Sequence, residues 1–268
     1  MEFEVSQPPL VNTAWAEISP VEATPREATR FCYSILPEFE IGDSGFDSIE
    51  IATPVRAVSV DTLILSDPVT QERIEIDVRD IATISDDGFV IQIPAEYRRT
   101  EETAGEPIEV IFRATIFTFG THFSGRVFDS TRPWEVRQRL TAGDADPSVE
   151  SNRLTVGLSE IGGKSVGELQ LSSAVLTPNG DGTNDELTIS YALVNLAGSV
   201  PVTVGVFDLS GRQVALMTSD RASGSFTETW DGTDGGTKLM PPGIYLIRMD
   251  VTTDKSTDTV LSSVALAY

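Results

Sequence analysis

Apolar residues recur at every second position in several short runs of this chain, each bounded by Gly, Pro or Asp. Ile74, Ile76 and Val78 alternate strictly with Glu75, Asp77 and Arg79, and Phe89, Ile91 and Ile93 do the same before Pro94. Phe46, Ile49 and Ile51 mark an earlier run. Val58, Val60, Leu63 and Leu65 mark another, whose phase Asp61 and Thr62 interrupt. Side chains of a strand point alternately to its two faces, so a period of two predicts half-buried antiparallel strands. The longer apolar run 108–119 predicts a central strand; Gly120 turns it toward 121–128, and 134–137 and 154–158 supply the last pairings. No stretch has a convincing helical period. Residues 96–103 are polar and predict a short turn or mobile loop, with 98–106 open to proteolysis. About eight or nine strands without crossover helices predict a β-sandwich or jelly roll.

The pattern resumes after residue 168 with predicted strands at 169–176, 187–194, 202–208, 213–218, 225–230, 244–252 and 259–266. Tyr245, Ile247, Met249 and Val251 fall on one face, opposite Arg248 and Asp250, and Val202, Val204 and Val206 form another core face. About seven strands in about a hundred residues match an immunoglobulin-like sandwich. The chain therefore reads as all-β, with two antiparallel β-sandwich domains. Residues 1–26 read as an extended proline-rich arm, 27–160 as an N-terminal β-sandwich (jelly-roll or immunoglobulin-like), 161–167 as a Gly- and Ser-rich linker, and 168–268 as the immunoglobulin-like domain. The arm carries Pro8, Pro9, Pro20 and Pro25, which remove backbone donors. Leu10, Val11 and Trp15 are its candidate partner-binding residues, the alternative for Trp15 being a cap on its own domain's core.

Ahead of the strand 187–194 stands Thr177-Pro178-Asn179-Gly180-Asp181-Gly182-Thr183-Asn184-Asp185-Glu186. Oxygens recurring at Asn179, Asp181, Thr183 and Asp185 suit a hard cation such as calcium, and the glycines let the backbone fold tightly around it. It is not an EF-hand, because Asn184 stands at the sixth position from Asn179 and Ser190 at the twelfth. The alternative is an Asx-rich turn without an ion.

That run, followed by Tyr191-Ala192-Leu193, Val202-Thr203-Val204-Gly205-Val206-Phe207-Asp208, Gly211-Arg212-Gln213-Val214, Trp230-Asp231-Gly232-Thr233-Asp234 and Gly243-Ile244-Tyr245-Leu246, resembles the FlgD-type immunoglobulin-like domain. It is similar also to the C-terminal domains associated with gliding motility and type IX secretion. The resemblance covers about the last hundred residues and implies an exported bacterial protein. In that family the Trp230 position is structural.

With 41 acidic against 19 basic residues and a net charge of −22, the chain lacks the basic balance that nucleic acid or an anionic membrane surface requires. The lone Cys32 forms no intrachain disulfide and reads as a buried small hydrophobe. His122 is the sole histidine, and no phosphate loop, dinucleotide glycine motif or nucleophile elbow is present. The start of the sequence is not a signal peptide, and no apolar run reaches the ~20 residues of a spanning helix. Together with the resemblance, this predicts a non-catalytic structural or interaction subunit of an exported envelope assembly. It would dock through its sandwich surfaces and arm on another protein or envelope complex. The setting is periplasmic or extracellular with a signal removed, or else cytoplasmic. The alternative, a carbohydrate-binding accessory module or fragment of a secreted hydrolase, needs a row of exposed aromatics.

Overall fold

The computed structural model describes residues 8–268 except 26, 56, 104, 133–136, 160–163 and 237. The chain divides into two compact units, Met1–Ser159 and Glu160–Tyr268. Among the described residues both are built of strands, and the only helical turns are short 3-10 turns at Ala95–Tyr97 and Glu101–Thr103.

The first unit runs through β1 (Thr13–Ser19), β2 (Glu22–Ala23), β3 (Ala28–Glu38), β4 (Ser48–Ala52), β5 (Ala57–Ser66), β6 (Arg73–Asp77) and β7 (Ala82–Ser85). It continues with β8 (Gly88–Gln92), β9 (Ile108–Thr115), β10 (Thr121–His122), β11 (Ser124–Phe128), β12 (Gln138–Arg139), β13 (Thr141–Ala142) and β14 (Thr155–Leu158). A six-stranded sheet has the order β13-β1-β3-β9-β5-β6, a five-stranded sheet β12-β11-β4-β8-β7, and a small sheet β10-β14-β2. The long apolar run supplies β9, inside the larger sheet between β3 and β5, as its lack of alternation requires. Phe31 of β3 and Phe112 of β9 meet Phe123 at 5.6 and 5.7 Å, and Phe89 of β8 closes on Phe112 at 5.0 Å across the two main sheets. The Asp61–Thr62 phase break is a register irregularity of β5 against β9, between Val60 and Thr62. An extra residue there returns Leu63 and Leu65 to the core, at 0% and 1% exposure.

The expected arm is a correction. β1 lies between β13 and β3, paired with β3 from Thr13↔Glu38 to Ser19↔Cys32. Leu10 and Val11 are buried in their own unit, and the Val11 amide donates to Gln138 Oε1 at 3.3 Å. Trp15 is half-buried, its ring so close to Gly143 that a Cβ there would sit 2.5 Å away. Ala14, Ala16 and Ile18 form the inward stripe; two of them are alanines, too small to register as anchors in the sequence. The prolines flank this strand and do not interrupt it. The described residues ahead of 27 thus belong to the first unit, with Leu10 and Val11 in its core and Trp15 packed on its own Gly143.

Of the two expectations for 96–103, a short turn or a mobile loop, the structure has the turn, as the 3-10 turns at Ala95–Tyr97 and Glu101–Thr103. Arg99 is fully buried, its Nη1 donating to Ser66 O at 2.9 Å and its backbone bridging Phe46. Predicted residues 134–136 fall outside the described ones, as do 161–163 of the expected linker. Val166 is buried and bridges Leu193, so the end of that linker belongs to the second unit.

The second unit contains β15 (Gln170–Leu171), β16 (Val175–Leu176), β17 (Leu187–Leu193), β18 (Val200–Asp208), β19 (Gln213–Arg221), β20 (Gly224–Trp230), β21 (Gly243–Thr252) and β22 (Thr257–Leu266). The expected strand 169–176 is two short ones in different sheets: β15-β17-β20, and β16-β22-β21-β18-β19. Ser173, whose hydroxyl donates to Val175 O and accepts from Val175 N, sits where the chain changes sheet. The core faces are those that the alternation predicts. Tyr245, Ile247, Met249 and Val251 are buried with Val202, Val204 and Val206, and Trp230 packs on Tyr245 at 5.2 Å.

Candidate functional site

The loop between β16 and β17 folds on itself. Gly180 and Gly182 both take φ of +82°, open to glycine without strain, and Asn184 takes +53°. Asn179 Oδ1 accepts the Asp181 amide at 3.0 Å, and Asp181 Oδ1 accepts the Thr183 amide at 2.7 Å. Asp185 reaches back across the loop. Its Oδ1 accepts Gly180 N–H and its Oδ2 accepts Gly182 N–H, each at 2.7 Å. Those two amides, Gly180 first, hold its carboxyl below the usual carboxylate range. Thr177 ties the ends of the loop together, its amide donating to Asn184 O at 2.8 Å and its hydroxyl to Thr183 O at 3.1 Å. So three of the four candidate calcium residues, Asn179, Asp181 and Asp185, turn side-chain oxygens onto loop amides. Among the described residues no three His, Cys, Asp or Glu side chains group to hold a metal.

Beside the loop, the outer face of the five-stranded sheet is apolar. One row across it reads Leu261, Arg248, Gly205 and Leu216; the next reads Ser263, Leu246 and Phe207; the next Ala265 and Ile244, with Val175 on the edge. Leu261 is 64% exposed, Leu216 54%, Ile244 53% and Leu246 39%. Gly205 makes the middle flat, since a Cβ there would stand 2.6 Å from the Phe207 ring. The nearby charges Arg248 and Asp250 pair with each other at 2.9 Å. On a chain with a net charge of −22, these three rows carry one charged residue, Arg248.

Several polar groups of the first unit are engaged in structure. Arg98 joins Asp129 at 2.7 Å and reaches Asp47 at 3.7 Å, drawing together the turns around 44–47, 94–99 and 128–132. Arg98 pulls the Asp129 carboxyl down to about 2. His122 is exposed, with Nδ1 3.1 Å from Thr155 Oγ1. Cys32 is half-buried, more open than expected, and burial pushes its thiol up to about 11. Among the described residues the large aromatic side chains left exposed are Phe119 and Tyr268, one in each unit, which form no row; Trp134 lies outside the described residues.

With this geometry in view, residues 169–264 match the CHU_C type IX secretion signal domain. That match implies export out of the cell. It carries the type IX side of the resemblance seen in the sequence, and not the FlgD-type side. No curated protein matches the chain. Among solved structures it is similar to dimeric latent PorU from Porphyromonas gingivalis, at 12% identity, over 97% of this chain and 20% of that one, with a TM-score of 0.33. It is similar also to the D00-D0 domain of intimin, at 13% identity over 95% and 100% of the two chains, with a TM-score of 0.31. The adhesin InvE of Yersinia pseudotuberculosis is 11% identical over 95% of this chain and 59% of that one, with a TM-score of 0.30. The chain spans about a fifth of the length of the PorU chain.

Proposed function

We propose that this chain is an exported, non-catalytic interaction protein in which the second unit is the export address and the first unit is the cargo that works outside the cell. The observation that carries this reading is the match of residues 169–264 to a type IX secretion signal domain. Its outer face, with Leu216, Ile244, Leu246 and Leu261 exposed, is the surface that supports recognition by another protein, because contiguous apolar patches of this kind mark contact sites. A reporter fused to residues 160–268 should reach the outside of a bacterium with type IX secretion. Leu246→Lys with Leu261→Lys should cut that export several-fold, while changing stability by no more than about 0.5 kcal/mol for each exposed position. Export of a reporter lacking residues 160–268 would sink the reading.

Calcium in the loop of Asn179, Asp181, Thr183 and Asp185 is decided by melting. The amide-directed oxygens support the Asx-turn reading, so equal melting temperatures are expected with chelator and with excess calcium. A higher value in calcium that Asp181→Ala abolishes would instead establish the ion, since a ligand bound only by the folded state raises stability.

A further inference from the structure

Of the five asparagines, only Asn179 precedes a glycine, and two residues on Asp181 precedes another. A glycine amide nitrogen, with no side chain to hinder it, can attack the carbonyl carbon of the preceding Asn or Asp side chain and close a five-membered succinimide. Both residues are exposed, on a loop with two left-handed glycines. They are therefore among the places where this unit is most open to such ageing. Yet the two nitrogens that would attack, Gly180 N and Gly182 N, are the two that Asp185 holds, one by each carboxylate oxygen, at 2.7 Å.

We propose that Asn179 and Asp181 are sites of spontaneous deamidation and isomerisation, and that Asp185 protects both by occupying the attacking amides. In the reaction at Asn179, Gly180 N gives its proton to water or hydroxide and bonds to Asn179 Cγ. The side-chain amide leaves as ammonia, and water then opens the ring to aspartate or isoaspartate. At Asp181 the leaving group is water, and ring opening by water returns aspartate or isoaspartate. Asp185 opposes the first step in both. Its carboxylate stabilises the N–H that must be lost and repels the nitrogen anion left behind, and the hydrogen bond must break before the nitrogen can swing toward the side chain. A hydrogen bond to a charged acceptor makes this about a tenfold slowing at each site.

The full chain and its Asp185→Ala and Asp185→Asn variants would be aged side by side at neutral pH, then digested. Mass spectrometry would read deamidation at Asn179, and chromatographic splitting of the peptide would read isoaspartate at Asp181. Asp234–Gly235, in another loop of the same unit, is the internal control. Both sites should age about tenfold faster in the alanine variant, with the control unchanged. No acceleration, or an equal one at Asp234–Gly235, overturns the proposal. Amide hydrogen exchange on the unaltered protein tests it without any substitution: Gly180 and Gly182 should exchange slowly for an exposed loop, and exchange as fast as that of Gly198 overturns it.

Discussion

Glu17→Ala should lower the unfolding free energy of the first unit by about 3–5 kcal/mol, more than any other single side-chain truncation of a charged residue there. Glu17 is fully buried, on β1, and its carboxylate is held by a ring of donors from one loop. Oε1 accepts the Ala145 amide at 3.0 Å and the Asp146 amide at 2.8 Å; Oε2 accepts Ser151 Oγ at 2.9 Å and the Asn152 amide at 3.0 Å. Alanine would leave three buried or half-buried backbone amides and a hydroxyl without an acceptor, and each such group costs about 1–3 kcal/mol. Glu17→Gln separates shape from charge. The carboxamide keeps one acceptor and turns an NH2 against the other donors, so it should lose about 2 kcal/mol. Urea midpoints followed by the fluorescence of Trp15, which lies on Gly143 at the start of the same loop, would measure both. If both variants melt like surface substitutions, the loop is held by something other than this carboxylate.

Glu17 also shows where the sequence ceased to be legible. Its neighbours Ala16 and Ile18 are buried as alternation demands, so by phase Glu17 should face water. It does not, because the 143–153 loop covers that face, and a loop's path over a sheet has no period to read. The same blindness hid β1, whose stripe is mostly alanine, and Arg99, whose buried guanidinium donates to the carbonyl of Ser66, far back in the chain, as well as to that of nearby Thr103. Where side chains are large and the sheet decides, the reading held. The interruption at Asp61–Thr62 is an irregularity in β5, and Tyr245 to Val251 face the core at every second position. The 177–186 run was legible as a built loop. What its oxygens would face, loop amides or a cation, is geometry that composition leaves open.

Asp129→Asn should remove about 2 kcal/mol at neutral pH, and that loss should fade as the solution is acidified. The substitution keeps an oxygen for the Thr131 amide and hydroxyl, which donate to Oδ1 at 2.9 and 2.6 Å, and removes the charge that Arg98 meets at 2.7 Å. The Asp129 carboxyl lies at about 2 in the folded protein against an ordinary 3.8, with Arg98 the largest cause. A carboxyl depressed on folding contributes stability that is fully present above its unfolded value. The contribution drains away as pH falls through the folded value, because the unfolded chain then binds the proton first. The window is therefore from about 4 down to about 2. Asp77, held first by Arg79, and Asp208, held first by the Ser210 hydroxyl and then by Arg212, are also lowered to about 2, but both are unchanged in the variant and cancel in a difference between the two proteins. The quantity to measure is the difference in unfolding free energy between the unaltered protein and the Asp129→Asn variant at a series of pH values. That difference should be constant from neutrality to about pH 5 and close toward zero near pH 2. A difference that stays level through the whole range would mean that Asp129 acts through shape and hydrogen bonding, with its charge contributing nothing to the closure of the 44–47, 94–99 and 128–132 turns.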